Sequence, residues 1–356
     1  MEYVFYLTNY CNLKCKYCYE CDESKINNKM DFNIIKQLLT EQSNKKNDTT
    51  NIGFFGGEPL LQKQLIYDTV DLGKDLYKST KHNFMYSVTT NGTLIDDEFI
   101  EFCKKNNILV GISIDGNEYT HNLNRKSKDN KNTFNMVLEN ARKCLDAKVN
   151  CMALPVICIN NVEYMANNIR FLIELGFKKI TCNFNYYDKW DDSSLNILKQ
   201  QYEEISNIYY DEFKNKNYIR IYPLDTKMQL HIYERKCSDG CNKNRIAVNV
   251  DGKFYPCIQF VGDSRFEIGD YKQGIDYKKR KEIMNKRLTS KVICDECLLK
   301  DRCIYKCGCA RIMTTNDIVE VSPLICETER IYIEEADNLA NRLYKDFKNE
   351  FIALNY

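Results

Sequence analysis

The sequence predicts an α/β fold, a partial (β/α)6 barrel over residues 1–220, followed by a smaller cysteine-dense domain over 221–330 and a C-terminal helix over 331–356. Three observations carry this prediction. Short β-rich runs alternate with segments of helical period from residue 2 to about 215. Glycine-rich and polar residues gather at the ends of those runs, and paired cysteine spacings take over after about residue 220.

The strand candidates are "EYVFYLT" (2–8), "NIGFFGG" (51–57), "NFMYSVTTNG" (83–92), "ILVGISIDG" (108–116), "VNCMALPVIC" (149–158) and "KKITCNFNY" (178–186). Between them lie amphipathic segments such as "DFNIIKQLLTEQ" (31–42) and "NVEYMANNIRFLIELG" (161–176), the second opening on an Asn cap and ending at Gly176. Strands joined by helical crossovers run parallel, so six such units imply a parallel sheet. The polar signals Cys11 to Cys18, Gly56-Gly57-Glu58-Pro59, Asn91-Gly92 and Asp115-Gly116 all fall at strand C-terminal ends. In a barrel those ends converge on one ligand site. Further on, "RIAVNVDGKFYPC" (245–257) reads as a β-hairpin about Asp251-Gly252, and a helical tail is expected from about 327 to 348.

Lys plus Arg total 51 and Asp plus Glu 50, so the net charge of +1 gives no global field for nucleic acid or an anionic membrane. Neither partner is expected. The longest apolar runs, such as 149–159, fall short of the roughly 20 residues that span a bilayer. The start "MEYVFYLTNY" carries no export signal, so a cytoplasmic protein is expected. The chain has 18 cysteines among 356 residues, below the roughly 8–10 per cent that marks a disulfide scaffold. Clustered cysteines in a reducing compartment more often ligate metal.

Cys11, Cys15 and Cys18 place three thiolates on one tight loop, which suits three irons of a cubane [4Fe-4S] cluster and leaves the fourth iron open. A zinc knuckle, or a four-cysteine cluster that also takes Cys21, is the alternative. The spacing C-x3-C-x-aromatic-C, with Tyr17 as the aromatic, and the run Gly56-Gly57-Glu58-Pro59 after a strand resemble the radical S-adenosylmethionine (SAM) superfamily. That resemblance implies that the open iron binds the amino and carboxylate groups of SAM. An electron from a flavodoxin- or ferredoxin-type donor would then cleave SAM to a 5′-deoxyadenosyl radical, which takes hydrogen from substrate. It assigns Tyr17, Gly56, Gly57, Glu58, Asn91, Ser113, Asp115 and Arg125 to the cofactor site. Arg125 has a planar fork suited to a carboxylate, and Asn91 also reads as a plain turn residue. Cys21 is a bystander in this reading, because a fourth ligand would close the iron that SAM needs.

The later cysteines read Cys241-x10-Gly252-x4-Cys257, then Cys294-x2-Cys297-x5-Cys303-x3-Cys307, then Cys326. This pattern is similar to the SPASM domain, which carries auxiliary iron–sulfur clusters. With Cys237, the resemblance implies one [4Fe-4S] cluster on Cys237, Cys241, Cys257 and Cys307, and another on Cys294, Cys297, Cys303 and Cys326. The chain would then hold three [4Fe-4S] clusters, one binding SAM and two auxiliary. Two structural zinc sites are the alternative. Cys103, Cys144, Cys151, Cys158, Cys182 and Cys309 read as small buried residues, and the histidines His82, His121 and His231 suggest no metal site.

"NGTLID", "VGISIDG" and "HNLNRK" extend the resemblance to anaerobic sulfatase-maturating enzymes, which make formylglycine in a protein substrate. Those enzymes carry an aspartate base directly after the hairpin cysteine, where this chain has Ile258. Asp263, Asp225 or a tyrosine would have to replace it. The expected function is therefore a peptide maturase that joins a substrate carbon to a cysteine sulfur as a thioether. Formylglycine formation and a non-catalytic iron–sulfur or zinc protein are the alternatives. Leader recognition would use the barrel rim, the Tyr- and Asn-rich loop near 184–196, or a separate protein.

Overall fold

The computed structural model describes residues 1–20, 28–45, 48–237, 244–288 and 292–354. Its main strands are β1 (Glu2–Thr8), β2 (Thr49–Gly56), β3 (Asn83–Thr90), β4 (Leu109–Ile112), β5 (Cys151–Ala153), β6 (Lys179–Thr181), β7 (Arg220–Tyr222), β8 (Arg245–Val248) and β9 (Phe254–Tyr255). The chain divides into two compact units, one of Met1–Ile114, His121–Met152 and Asn242–Met284, the other of Asp115–Thr120, Ala153–Cys241 and Asn285–Tyr356.

In the first unit β1 runs parallel to β2, with Tyr3 opposite Ile52. The parallel order continues through β3 (Ile52 opposite Tyr86) and β4 (Val88 opposite Val110). The expected hairpin about Asp251-Gly252 forms, and its first strand joins the sheet beside β1, Tyr3 facing Ile246, while β9 pairs antiparallel to it. Without β8 the first strand would be a bare edge. Phe5, Tyr6 and Leu7 are fully buried in succession, as expected of a parallel strand covered on both faces. Helices Phe32–Ser43, Lys63–Thr80, Asp97–Lys105 and Phe134–Asp146 alternate with these strands.

In the second unit β6 pairs parallel with β5, through Ala153, and with β7. The helix Pro323–Asp346 packs on Asp192–Lys214 and Leu224–Ile232, with the Tyr202 and Tyr332 rings 4.9 Å apart.

Four expectations are corrected. The strand expected at 149–158 divides at Pro155 into Cys151–Ala153 and Val156–Ile157, since proline gives a ladder no donor. Asn161 does not cap the next helix; its amide braces the Val156 carbonyl and the Cys158 N–H instead. The loop expected over 184–196 ends early, because Asp191 and Ser194 form a capping box that starts a helix at Asp192. The C-terminal helix starts at Pro323 rather than about 327, with Ser322 as its cap, so Cys326 lies in its first turn.

Candidate active site

The cysteine loop leaves the end of β1 and is held by backbone on two sides. On one side, Gly57 N–H donates to Thr8 O at 2.8 Å and Glu58 N–H to Tyr10 O at 2.9 Å. A Cβ on Gly56, whose φ is +120°, would lie 2.3 Å from Thr8 O, and one on Gly57 2.2 Å from Tyr10 O. The glycines are thus required by the backbone that carries Cys11. On the other side, Lys14 N–H donates to Lys126 O at 2.8 Å and Lys16 N–H to Asn124 O at 2.9 Å. That pairing sets Arg125 across from Tyr17, its guanidinium carbon 5.2 Å from the ring centroid. Arg125 is buried.

The Cys11 sulfur accepts hydrogen bonds from Leu13 N–H at 3.4 Å and from Asn91 Nδ2 at 3.7 Å. Burial pushes its thiol up to about 12, and the fields of Glu58, Cys15 and Cys18 add to the shift. Cys11 therefore lies within the field of both Cys15 and Cys18. Cys21 lies outside the described residues.

Glu58 is fully buried, and its carboxylate accepts from Leu60 N–H (2.9 Å), Thr90 Oγ1 (2.7 Å) and Asn91 N–H (2.7 Å). It ties the end of β2 to the end of β3. Burial raises its pKa to about 7, against the pull of those donors. Asn91 is more than a turn residue: its Nδ2 also donates to Asn12 Oδ1 at 2.8 Å, and its Oδ1 accepts from Thr93. Asn12 Nδ2 in turn donates to Thr93 Oγ1 at 2.8 Å. Sequence reasoning passed over Asn12, Thr90 and Thr93, although two of them flank Asn91 in "TTNGT" and the third follows Cys11. Ser113 extends the β4 pairing by donating to Thr90 O at 2.9 Å. Asp115 belongs to the second unit, where its buried carboxylate accepts the Val156 N–H at 3.0 Å.

In the first unit the hairpin presents Cys257, buried, followed by Ile258. Tyr6 Oη donates to the Ile258 carbonyl at 2.8 Å and stands 3.3 Å from Glu20 Oε1. Burial pushes the Tyr6 phenol well above its ordinary range. Asp263 is gripped by Arg265 at 2.7 Å, which holds its carboxyl below the usual range. In the second unit, Asp225 is fully buried and accepts from Tyr209 Oη and Arg220 Nη1, each at 3.0 Å, and from Ile221 N–H.

The second unit also holds most of the later cysteines. Burial raises the Cys303 thiol, with Glu329 and Cys326 adding to the shift. Burial likewise raises Cys326, with the fields of Cys294 and Cys297. Cys326 therefore lies near Cys294, Cys297 and Cys303. Cys307 opens the helix Gly308–Thr315 and packs against a core of Tyr186, Ala310 and Ile325. Cys241 lies outside the described residues, and Cys257 belongs to the first unit. Cys103, Cys144, Cys151, Cys158, Cys182 and Cys309 are buried, as expected. Among the described residues, no three His, Cys, Asp or Glu side chains converge closely enough to hold a single metal ion. No described helix is long and apolar enough to cross a membrane.

Comparison with known proteins agrees with this geometry. The family model of the Radical SAM superfamily matches residues 5–172, the stretch that carries the cysteine loop, the Gly-Gly-Glu-Pro run, Asn91 and Arg125. A cysteine-type anaerobic sulfatase-maturating enzyme of Clostridium perfringens (strain 13 / Type A) is 26% identical over 363 residues, covering 94% of this chain and 96% of that enzyme. The solved structure of histidine-tagged anSMEcpe with bound AdoMet shares the fold with a TM-score of 0.86 at 22% identity, over 99% of this chain and 97% of that one. Streptococcus suis SuiB bound to precursor peptide SuiA shares it with a TM-score of 0.63 at 18% identity, over 91% and 75% of the two chains. Residues 5–172 of the chain are therefore a Radical SAM domain, and the chain is an enzyme.

Proposed function

We propose that the chain is a peptide maturase that joins a substrate carbon to a cysteine sulfur as a thioether. Cys11, Cys15 and Cys18 would hold a SAM-binding [4Fe-4S] cluster, and the donor set fits: three thiols on one loop, with the Leu13 and Asn91 N–H groups already aimed at the Cys11 sulfur. When bound, reduced cluster and SAM supply the 5′-deoxyadenosyl radical that takes a hydrogen atom from substrate. Arg125, stacked over Tyr17 and buried, is assigned the SAM carboxylate, with Tyr17 beside the adenine. Gly56 and Gly57 offer their backbone to the methionine end. Glu58 and Asn91 position the loop, while Ser113 and Asp115 stay assigned to the ribose side.

Two auxiliary [4Fe-4S] clusters complete the proposal, on Cys237, Cys241, Cys257 and Cys307, and on Cys294, Cys297, Cys303 and Cys326. Four thiolates apiece are a donor set that suits a cubane iron–sulfur cluster. The two clusters would take the electron released when the carbon–sulfur bond forms. The barrel would occupy 1–220, the SPASM domain 221–330 and the closing helix 331–356. A flavodoxin- or ferredoxin-type donor and a cytoplasmic setting belong to the same reading.

The single observation that carries the thioether outcome is Ile258. It cannot accept a proton, and of the substitutes considered, Asp263 is gripped by Arg265, Asp225 already accepts three donors, and burial disfavours ionising Tyr6. Incubating reduced enzyme with SAM and a cysteine-containing peptide should remove two hydrogens and block alkylation of the thiol. A carbonyl-reactive product would instead indicate formylglycine chemistry. That second reading is favoured by the near full-length similarity to a sulfatase-maturating enzyme and by Glu20, a carboxylate that Tyr6 brings beside Ile258.

A further inference from the structure

In the second unit the Lys227 ammonium touches the Glu329 carboxylate, and each side chain is 3% exposed. Lys227 Nζ also donates to the Arg302 carbonyl at 2.7 Å, and Glu329 Oε2 accepts the Ile304 N–H at 2.8 Å. Arg302 and Ile304 are the two neighbours of Cys303. The pair thus grips the backbone on both sides of one cysteine. Lys227 comes from the helix Leu224–Ile232 and Glu329 from Pro323–Asp346, so two elements remote in sequence meet at this point.

An ion pair taken this far out of water gains little net stability, since desolvation offsets most of the attraction. Apolar side chains would join the two helices as well but would leave the Arg302 carbonyl and the Ile304 N–H without these partners. The pair therefore holds the backbone of Cys303, and it brings two opposite charges to that point. We propose that Lys227 and Glu329 set the reduction potential of the iron–sulfur cluster that Cys303 ligates. This rests on the assignment of Cys303 as a cluster ligand.

Both charges sit against the backbone on the two sides of Cys303, so both act at short range on whatever its sulfur binds. In the dry interior such fields are weakly screened. Reduction adds one electron to the cluster and makes or breaks no bond, so the reduced form is the more negative one. Lys227 favours the reduced form and Glu329 opposes it. Held in contact, they nearly cancel, and the potential depends on the balance. Lys227 and Glu329 are positioning residues in this scheme.

The test is a potentiometric titration of the reconstituted full-length enzyme, read by electron paramagnetic resonance, with three variants. Glu329→Gln keeps an acceptor for the Ile304 N–H and removes the negative charge, so the midpoint potential of one auxiliary cluster should rise. Lys227→Gln keeps a donor for the Arg302 carbonyl and removes the positive charge, so it should fall. The double variant should lie between the two. Each single variant carries its own sign, so either decides the matter if the other fails to load iron. Unchanged potentials, or shifts of the same sign, in variants with wild-type iron content would overturn the proposal. Cys303→Ala separates this failure from the other one: if it keeps wild-type iron and spectra, the ligand assignment itself is wrong.

Discussion

A Cβ on Gly57 would stand 2.2 Å from the carbonyl oxygen of Tyr10, the residue just before Cys11. The Gly-Gly-Glu run and the cysteine loop are therefore one backbone construction, and each fixes the other's path. Gly57→Ala should push the loop away, destabilising the protein by about 1–3 kcal/mol and lowering the iron retained after anaerobic reconstitution. Gly53→Ala is the contrast, because a Cβ there would meet Val4 and Ser87 at ordinary distances of 3.5–3.6 Å. Iron content and thermal unfolding of the two variants check this.

Glu58 should make stability depend on pH. Burial raises its pKa from the ordinary 4.5 to about 7, so the folded state keeps a proton that the unfolded state has released. The group's contribution to stability then falls as pH rises from 4.5 to about 7 and levels off above that. Glu58→Gln should flatten this slope. It should also cost about 1–3 kcal/mol, because an amide N–H would oppose one of the three donors now facing the carboxylate. Denaturant unfolding at several pH values reads both effects.

Arg125→Lys should weaken SAM binding roughly tenfold while leaving the fold intact. Lysine keeps the charge but not the planar fork that lies over Tyr17. The KM for SAM, measured as 5′-deoxyadenosine release, should rise more than kcat falls.

The cluster cysteines should separate from the packed ones by iron count. On the proposed ligand set, Cys326→Ala should lose about four irons of about 12 per chain, whereas Cys309→Ala, two residues after Cys307 but buried as packing, should keep them. Equal loss in both would point to a different ligand set.

The strands that carry the site were legible because β1 to β4 are continuous β-rich runs ending in glycine, cysteine or asparagine. Pro155 broke a longer run into two short strands, and β7 at Arg220–Tyr222 was too brief to announce itself. The cysteine loop and Arg125 were picked out by spacing and motif, and the structure sets Arg125 over Tyr17 beside that loop. What sequence could not supply was the set of long-range partners: the carboxylate of Glu58 closing on Thr90 and Asn91, or Asn12 meeting Asn91 from 79 positions away. Spacing proposes the thiols, while the side chains that brace their loop are chosen by which strand ends meet. The same limit hid Lys227 and Glu329, 102 positions apart and in contact.

The most direct test of the thioether account is the fate of deuterium from a substrate peptide deuterated at the cysteine β-carbon. Reduced enzyme and SAM are added, and the 5′-deoxyadenosine is analysed by mass spectrometry. If hydrogen is taken from another residue's carbon and the cysteine only supplies sulfur, turnover should give unlabelled 5′-deoxyadenosine and a crosslinked peptide that retains its deuterium. Deuterium in the 5′-deoxyadenosine, with an aldehyde in the peptide, would contradict the account and make the chain a formylglycine-forming enzyme.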